Sequence, residues 1–328
     1  MITVIGGSGF IGTRLCSRLK NVGINFCILD KVPSYAFEDF VSIADIRDRY
    51  ILDKAISKCS IIVNLAAEHR DDVSPKSLYD EVNVSGALNI CSVAREKDIS
   101  TIVFTSSVAI YGFAPLGTNE SGKIAPFNDY GRTKWEAEQI YKEWQAEDPQ
   151  NRTLVIIRPT VVFGERNRGN VFNLLKQIAS GKFLMVGNGV NRKSMAYVEN
   201  VAAFIEYSLN FKPGLHIYNY IDKPDFTMNS LVGRVNKLLG RSEKIKLRLP
   251  YIVGLTIGKF FDLIAFVTRK KLAISSIRVK KFCANSVYES AIAETGFVAP
   301  VPLFVAIERT VRYEFLEDHK EEPVYFSE

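Results

Sequence analysis

The chain has 328 residues, a formal net charge of +6, 47% hydrophobic residues and 24% charged residues. These proportions exclude a disordered or fibrous chain and allow one large domain, or two coupled ones, around a sizeable core. The cysteines (Cys16, Cys27, Cys59, Cys91, Cys283) are scattered with no Cys-x-x-Cys, and His69, His216 and His319 keep no ligand spacing, so neither a disulfide frame nor a metal site is expected and the thiols read as reduced and cytosolic.

Met1-Ile-Thr-Val-Ile5 predicts a short buried parallel strand. No secretory leader is expected, because Met1 runs straight into it. The turn Gly6-Gly-Ser8-Gly9-Phe10-Ile11-Gly12 follows, ahead of a helical run from Thr13 to Lys20. Glycines at 6, 9 and 12 permit a tight turn, close approach of backbone to a pyrophosphate, and close packing of helix on strand. The start of the helix would offer free N–H groups to the phosphates. Glycine spacing by itself is a weak signal, and the strand before and helix after strengthen it.

A second strand over 25–29 ends at Asp30, 18 residues beyond Gly12 (30 − 12), near the spacing of an acid that takes the adenosine ribose hydroxyls. A carboxylate there repels a 2′-phosphate and favours NAD over NADP, while Lys31 beside it pulls the other way. After a third short strand comes Ala44-Asp45-Ile46-Arg47, where Asp45 either meets the adenine amino group or is simply solvated.

The next strand, 61–67, closes on Asn64-Leu65-Ala66-Ala67, small enough at its end for a cofactor to lie close. Glu68-His69-Arg70-Asp71-Asp72 opens a polar loop, and His69 alone reads as structural rather than catalytic. A helix over 78–96 carries Asn83, which could bond the backbone or position water near the site. A strand over 100–107 ends in the hydroxyls of Thr105, Ser106 and Ser107.

Tyr130-Gly-Arg-Thr-Lys134 starts a helix, with Asn128 and Asp129 at the capping position. Residues four apart share a helical face, so the Tyr130 phenol and the Lys134 ammonium can converge. A nearby ammonium favours the phenolate and lowers the pKa of the phenol, which makes a general acid/base that works near neutral pH. The spacing does not decide the matter. A second Tyr-x-x-x-Lys, Tyr50 to Lys54, reads as an ordinary solvated helix face.

A strand over 154–163 is interrupted by Pro159. The loop 164–170 holds Arg166, Arg168 and Asn170 among glycines, a composition suited to a diphosphate. A helix over 196–209 and a last strand over 215–219 follow. Six or seven strands alternating with helices predict an α/β fold with a doubly wound parallel sheet.

Residues 237–281 hold twelve Lys and Arg against Glu243 and Asp262, a local charge of +10 (12 − 2). Phosphates, acidic lipid or nucleic acid would suit that patch, and a solvated basic face is the plainer alternative. Within it, 250–267 is strongly apolar. It has about 17 such residues, with Lys259 and Asp262 in their midst, where a spanning helix needs ~20. A true span is not expected. The run either lies on or dips into a membrane, flanked by Arg248 and by Arg269, Lys270 and Lys271, or packs as a helix of a small domain.

Gly6-x-x-Gly9-x-x-Gly12, Asn64-Leu-Ala-Ala67, Thr105-Ser-Ser107, Tyr130-x-x-x-Lys134 and Arg158-Pro159, in that order, resemble the extended short-chain dehydrogenase/reductases over nearly the whole chain. The resemblance implies NAD as cofactor. It also implies a Rossmann domain from 1–163 and 196–222, with a smaller C-terminal α/β substrate domain from 164–195 and 223–328. Ser107 would hold the reacting hydroxyl, Tyr130 would carry the proton, and Lys134 would grip the nicotinamide ribose and lower the Tyr130 pKa. The implied cofactor contacts are Gly6, Ser8, Gly9, Phe10, Ile11, Gly12, Asp30, Lys31, Asp45, Ile46, Leu65, Ala66, Ala67, Asn83, Thr105, Tyr130, Lys134, Pro159 and Val162.

Three longer stretches, 66–75, 164–170 and 276–283, are similar to bacterial epimerases that act on polyprenyl-diphosphate-linked N-acetylglucosamine. That similarity implies 4-epimerisation to N-acetylgalactosamine on undecaprenyl diphosphate, in the O-antigen part of lipopolysaccharide synthesis, by transient oxidation at C4. The substrate contacts it implies are Glu68, His69, Ser107, Tyr130, Arg166, Arg168, Asn170, Arg192 and Arg278, with no metal. The expected place is peripheral, on the cytoplasmic face of the inner membrane, with an anionic bilayer as partner, a homodimer as candidate assembly and no nucleic acid. The alternatives are a nucleotide-sugar 4-epimerase, a sugar 4,6-dehydratase, a net reductase or hydroxysteroid-type dehydrogenase, and a cofactor-sensing binding protein. Thr105-Ser106-Ser107 lacks the acid usual in the dehydratases, and sensing would need no proton relay.

Overall fold

The computed structural model describes residues 1–56, 61–70, 73–245, 247–268, 275–319 and 321–326. The chain begins β1 (Ile2–Ile5), α1 (Phe10–Asn21), β2 (Phe26–Asp30), β3 (Val41–Ile43), α2 (Arg49–Ala55) and β4 (Ile61–Asn64). Then α3 (Ser77–Tyr79) runs through a π-helical stretch, Asp80–Ser85, into α4 (Gly86–Glu96). Next come β5 (Thr101–Thr105), α5 (Asp129–Ala146), β6 (Thr153–Pro159), β7 (Val161–Phe163) and α6 (Asn170–Ala179). The remainder is β8 (Met185–Val186), β9 (Arg192–Tyr197), α7 (Val198–Ser208), β10 (Gly214–Tyr220), β11 (Asp222–Thr227), α8 (Met228–Leu238), β12 (Arg248–Leu249), α9 (Tyr251–Thr268), α10 (Ser276–Cys283) and α11 (Leu303–Phe315).

Seven strands form one sheet in the order β10-β6-β5-β4-β1-β2-β3, and all its pairs are parallel. This is the doubly wound sheet expected. Every residue of β1 and β6 is buried, as strands covered on both faces require. Alternate residues feed opposite layers. Val4, Val103, Val155 and Ile157 pack with Leu15 and Val201 beneath α1 and α7. Ile5, Ile102, Phe104, Leu154 and Ile156 pack with Ile90, Tyr141 and Trp144 beneath α4 and α5. The strand order turns back at β1 and β4, which opens a crevice at their carboxyl ends.

Three local expectations change. The strand expected over 154–163 is two strands in two sheets. Pro159 has no N–H to continue the ladder, the Thr160 N–H donates to the Tyr220 carbonyl at 3.1 Å, and β7 leaves to pair with β9 in a sheet ordered β11-β9-β7. The helix expected from Ala196 starts at Val198, because Ala196 and Tyr197 pair with Val162 and Phe163 at the end of β9. The run 78–96 is helical but not uniformly α, owing to the π-helical stretch around Asn83.

A third apolar cluster, with Phe163, Leu175, Met185, Tyr197, Leu231, Leu303 and Val311, joins α6, α8 and α11 to the small sheet. The apolar run at 250–267 does not pack into it as a core helix. In α9 only Gly254 and Gly258 are buried.

One buried ion pair ties β6 to α5. Arg158 donates to Glu138 at 2.9 and 2.6 Å, with both side chains at most 2% exposed. Arg158 also donates to the Tyr111 hydroxyl at 2.7 Å and the Glu120 carbonyl at 3.1 Å. Removing one member strands a charge, which typically costs about 3–5 kcal/mol, whereas replacing both with apolar groups is often near neutral. Thermal unfolding of Glu138→Ala should therefore show a large loss, and Glu138→Leu with Arg158→Met should recover most of it. Equal losses in the single and the double variant would contradict this account.

Candidate active site

The glycine turn at the end of β1 is shaped by contact. Gly6 has φ +78°, and a Cβ there would lie 2.6 Å from the Ala66 nitrogen. A Cβ on Gly12 would lie 2.5 Å from the Gly6 carbonyl oxygen. The turn thus wedges β4 against the start of α1. Gly9 caps α1 with no side chain, and the first N–H groups of the helix, from Phe10 to Gly12, have no acceptor within it.

Asp30, at the tip of β2, accepts from the Ser8 N–H at 3.0 Å and the Val32 N–H at 3.2 Å, and burial raises its carboxyl above the usual range. A side-chain-free turn with open N–H groups, next to a half-buried acid, fits a dinucleotide: phosphates at the turn, ribose at Asp30. Lys31 beside it is exposed. The Leu65 N–H continues β4 by donating to the Ile5 carbonyl at 2.8 Å, and the Ala66 N–H donates to Asn64 Oδ1 at 3.1 Å. Asp45 turns both carboxylate oxygens onto Arg47, at 2.7 to 3.1 Å, which holds its carboxyl below the usual range. Ile46 is buried in the sheet's helical layer.

The strongest constraint lies between α5 and β5. Lys134 is buried, donates from Nζ to the Thr105 carbonyl at 2.8 Å, and lies 4.6 Å from the Phe104 ring centroid. Burial pushes it down to about 7. Tyr130 lies one turn earlier, in the first turn of α5, where the Asn128 side chain accepts from the Gly131 N–H at 2.9 Å. Ser107 lies two residues beyond Thr105, and its Oγ accepts from the Ala109 N–H at 3.1 Å. A Cβ on Gly131 would sit 2.6 Å from the Ala109 carbonyl oxygen. The turn carrying Tyr130 is therefore pressed onto the turn carrying Ser107. Gly131 is a positioning residue the sequence reading missed, although a glycine inside a strong helical run is the signal of a close approach. The second pair, Tyr50 and Lys54, is a surface feature: Tyr50 is 65% exposed and its own Lys54 lies 4.1 Å over the ring.

Asn83 acts as a clamp. Its Oδ1 accepts from the Glu68 N–H and its Nδ2 donates to the Glu68 carbonyl, both at 2.9 Å, and Nδ2 also donates to Thr133 Oγ1 at 3.0 Å. The loop holding Glu68 and His69 is thereby anchored to α5, between Tyr130 and Lys134. Burial pushes the His69 imidazole down, towards its neutral form. Asp71 and Asp72 lie outside the described residues.

Other expected contacts are placed differently. Arg166 donates from Nε to the Pro323 carbonyl at 2.7 Å and lies 5.3 Å from the Tyr325 ring. Arg168 reaches Glu314 at 2.9 Å, and Asn170 opens α6. These two arginines are tied to the C-terminal helix and tail. Arg192 is exposed at the start of β9, its N–H on Asn285 Oδ1 at 2.7 Å, and Arg278 is exposed on α10. Pro159 closes β6, and Val162 is half-buried in β7.

The Lys134 environment carries a pH dependence. In the unfolded chain a lysine keeps its proton to about 10.4, and in the folded chain Lys134 gives it up near 7. Folding therefore releases a proton between those values, and stability rises with pH across that window, by at most about 1.4 kcal/mol per pH unit. Thermal unfolding of the cofactor-free protein should show wild type gaining on Lys134→Met from pH 7 to 9. The opposite slope would mean that the ammonium has an acidic partner.

Comparison with known proteins places this geometry. The NAD dependent epimerase/dehydratase family matches residues 2–220. The N-acetyl-alpha-D-glucosaminyl-diphospho-ditrans,octacis-undecaprenol 4-epimerase of Escherichia coli O157:H7 is 47% identical over 329 residues, covering 100% of this chain and 99% of that protein. A UDP-glucose 4-epimerase of Rhizobium meliloti is 29% identical over 284 residues, 83% of each chain. Among solved structures, the UDP-glucose 4-epimerase of Thermotoga maritima with UDP-glucose superposes with a TM-score of 0.74 at 19% identity, over 95% of this chain and 97% of that one. The NAD complex of the Thermus thermophilus UDP-glucose 4-epimerase gives a TM-score of 0.72 at 21% identity, over 95% and 98%. The chain belongs to the NAD dependent epimerase/dehydratase family, and its cofactor is NAD.

Proposed function

We propose that the chain is a 4-epimerase that interconverts N-acetylglucosamine and N-acetylgalactosamine carried on undecaprenyl diphosphate. The observation that carries this reading is the 47% identity, along the whole chain, to an epimerase named for that lipid-linked sugar. The assembly of Ser107, the Tyr130 turn and buried Lys134 at the end of β5 supports it. Bound NAD supplies a reversible hydride acceptor for C4 of the sugar. Tyr130 takes the proton of the C4 hydroxyl and returns it, Ser107 holds that oxygen, and Lys134 supplies the positive charge that favours the phenolate. The 4-keto sugar would turn before hydride and proton return, so that hydride reaches the opposite face of C4, the proton returns to its oxygen, and the stereocentre inverts with no net redox change.

In this reading, 1–163 and 196–222 bind the cofactor, and 164–195 and 223–328 form the substrate domain. The separate apolar cluster around Leu175, Leu231 and Leu303 supports that division, with β7 crossing from one to the other.

The same reading puts the chain at an anionic membrane surface. Residues 237–281 carry twelve Lys and Arg against two acids, and α9 exposes Ile252, Phe260, Leu263 and Phe266. Of the flanking cations, Arg269, Lys270 and Lys271 lie outside the described residues. At ~1.5 Å per residue the 18 residues of α9 reach roughly 27 Å, short of a ~30 Å hydrocarbon core. Lys259 is exposed on the helix. Lying at the interface suits this helix better than crossing. A nucleotide-linked sugar is the second reading, favoured by the relative named as a UDP-glucose 4-epimerase.

Supplying lipid-linked and UDP-linked N-acetylglucosamine side by side, without added cofactor, separates the two readings: product is expected from the lipid-linked substrate, and turnover of the UDP-linked one alone would sink the proposal. Tyr130→Phe should retain NAD and fall below about a hundredth of wild-type turnover, because proton transfer typically contributes 10²–10⁴-fold. The protein should co-sediment with phosphatidylglycerol vesicles and less with neutral ones. Equal recovery in the two supernatants would remove the membrane surface from the reading.

A further inference from the structure

α9 meets the rest of the protein along one narrow line. Gly254, Gly258 and Asp262, four residues apart, share a face. A Cβ on Gly254 would lie 2.6 Å from Val186 Cγ1, and one on Gly258 would lie 2.8 Å from Ser276 Cα. Both oxygens of Asp262 accept from the Ser276 N–H at 3.2 Å, at the first turn of α10. The one acid of this helix is thus spent on its own protein, and apart from Lys259 and two threonines the remaining faces are apolar and largely exposed.

At the foot of α9 is a pocket of about 830 Å³, lined by Phe113, Asn188, Asn191, Arg248, Tyr251 and Lys280 among others, with no carboxylate in its wall among the described residues. Arg248 is held by neutral groups, the Asn188 carbonyl and Asn229 Oδ1, each at 3.0 Å, so its charge is not cancelled. Leu249, Pro250 and Tyr251, the last being the first residue of α9, lie in the wall, and the positive end of the helix dipole adds to the field there. Phe113, also in the wall, follows Ser107 by six residues and stacks on Phe127 at 4.9 Å, three residues ahead of Tyr130. The pocket is thus bordered both by the segment that follows the Ser107 turn and by the first residue of an exposed apolar helix. A cationic, acid-free cavity in that place suits two adjoining phosphates with an apolar tail on one side and a sugar on the other.

We propose that this pocket is the diphosphate subsite for a polyprenyl-diphosphate-linked sugar, with Arg248 and Lys280 on the phosphates and the prenyl chain leaving along the apolar faces of α9. The proposal rests on the lipid-linked reading above and assigns the charge recognition to this pocket rather than to Arg166 and Arg168, which are tied to the C-terminal tail.

The test uses the full chain loaded with NAD and farnesyl diphosphate as the probe, a soluble prenyl diphosphate that carries no sugar. Binding is expected, and Arg248→Ala and Lys280→Ala should each weaken it about tenfold or more, as loss of a hydrogen bond to a charged group does. Lys280→Arg should keep most of the affinity, and Arg312→Ala, a distant surface charge, all of it. Farnesol should bind markedly less well. Alanine variants that bind like wild type, or farnesol that binds as tightly as its diphosphate, would overturn the subsite. Soluble glycerophosphoglycerol, the headgroup without its acyl chains, that displaces the probe at equal phosphate concentration would overturn it too, by making the pocket a headgroup site. If lipid-linked N-acetylglucosamine is not epimerised while the variants still lose the probe, the functional reading fails and the subsite stands.

Discussion

The site depends on one buried ammonium. Lys134 can occupy the interior because the end of β5 offers it a carbonyl, from Thr105, and a ring face, from Phe104. Without such partners a buried cation would simply be expelled or neutralised. The contact fixes the distance between α5 and β5 and with it the relation of Tyr130 to Ser107. The burial that comes with this contact is what pushes the Lys134 ammonium down to about 7.

Around that contact the structure repeats one device, a polar side chain locking backbone to backbone across elements. Asn83 holds the Glu68 peptide groups against α5, Asn64 Nδ2 reaches the Tyr141 hydroxyl at 2.8 Å, and Thr105 Oγ1 returns to the Asn64 carbonyl at 3.2 Å. Glu138, one turn beyond Lys134, is engaged by Arg158 and so is not left to neutralise the ammonium directly. Satisfied buried networks of this kind make one arrangement of the strand ends much better than its neighbours. That suits chemistry in which a hydroxyl, a phenol and a cofactor must meet within hydrogen-bond reach.

The C-terminal part is organised by the opposite rule. Helix α9 buries only two glycines, turns its one acid onto the Ser276 N–H, and leaves Ile252, Phe260, Leu263 and Phe266 exposed. An exposed apolar surface of that kind marks an interaction site. The first residue of α9, Tyr251, lines a cationic pocket, which supports the lipid-linked reading.

The sequence by itself determined the sheet. Short Ile- and Val-rich runs, glycine-rich turns and intervening helical patterns are local signals, and the parallel order follows from alternation. It also determined the glycine turn, Asp30 and the helix bearing Tyr130 and Lys134, because each depends on residues close together in the chain. Tertiary structure decided what depends on partners distant in the chain. Pairing of β7 with β9 broke the strand expected through Val161–Phe163 and shortened the helix expected from Ala196. Glu314 and the tail at Pro323 claimed Arg166 and Arg168, which their loop alone marks as free cations. The reading of Tyr50 and Lys54 as a solvated face rests on context alone, and packing supplies the physical reason: Tyr50 is exposed, whereas Lys134 is buried against the end of β5, and composition carries no record of which helix face meets the sheet.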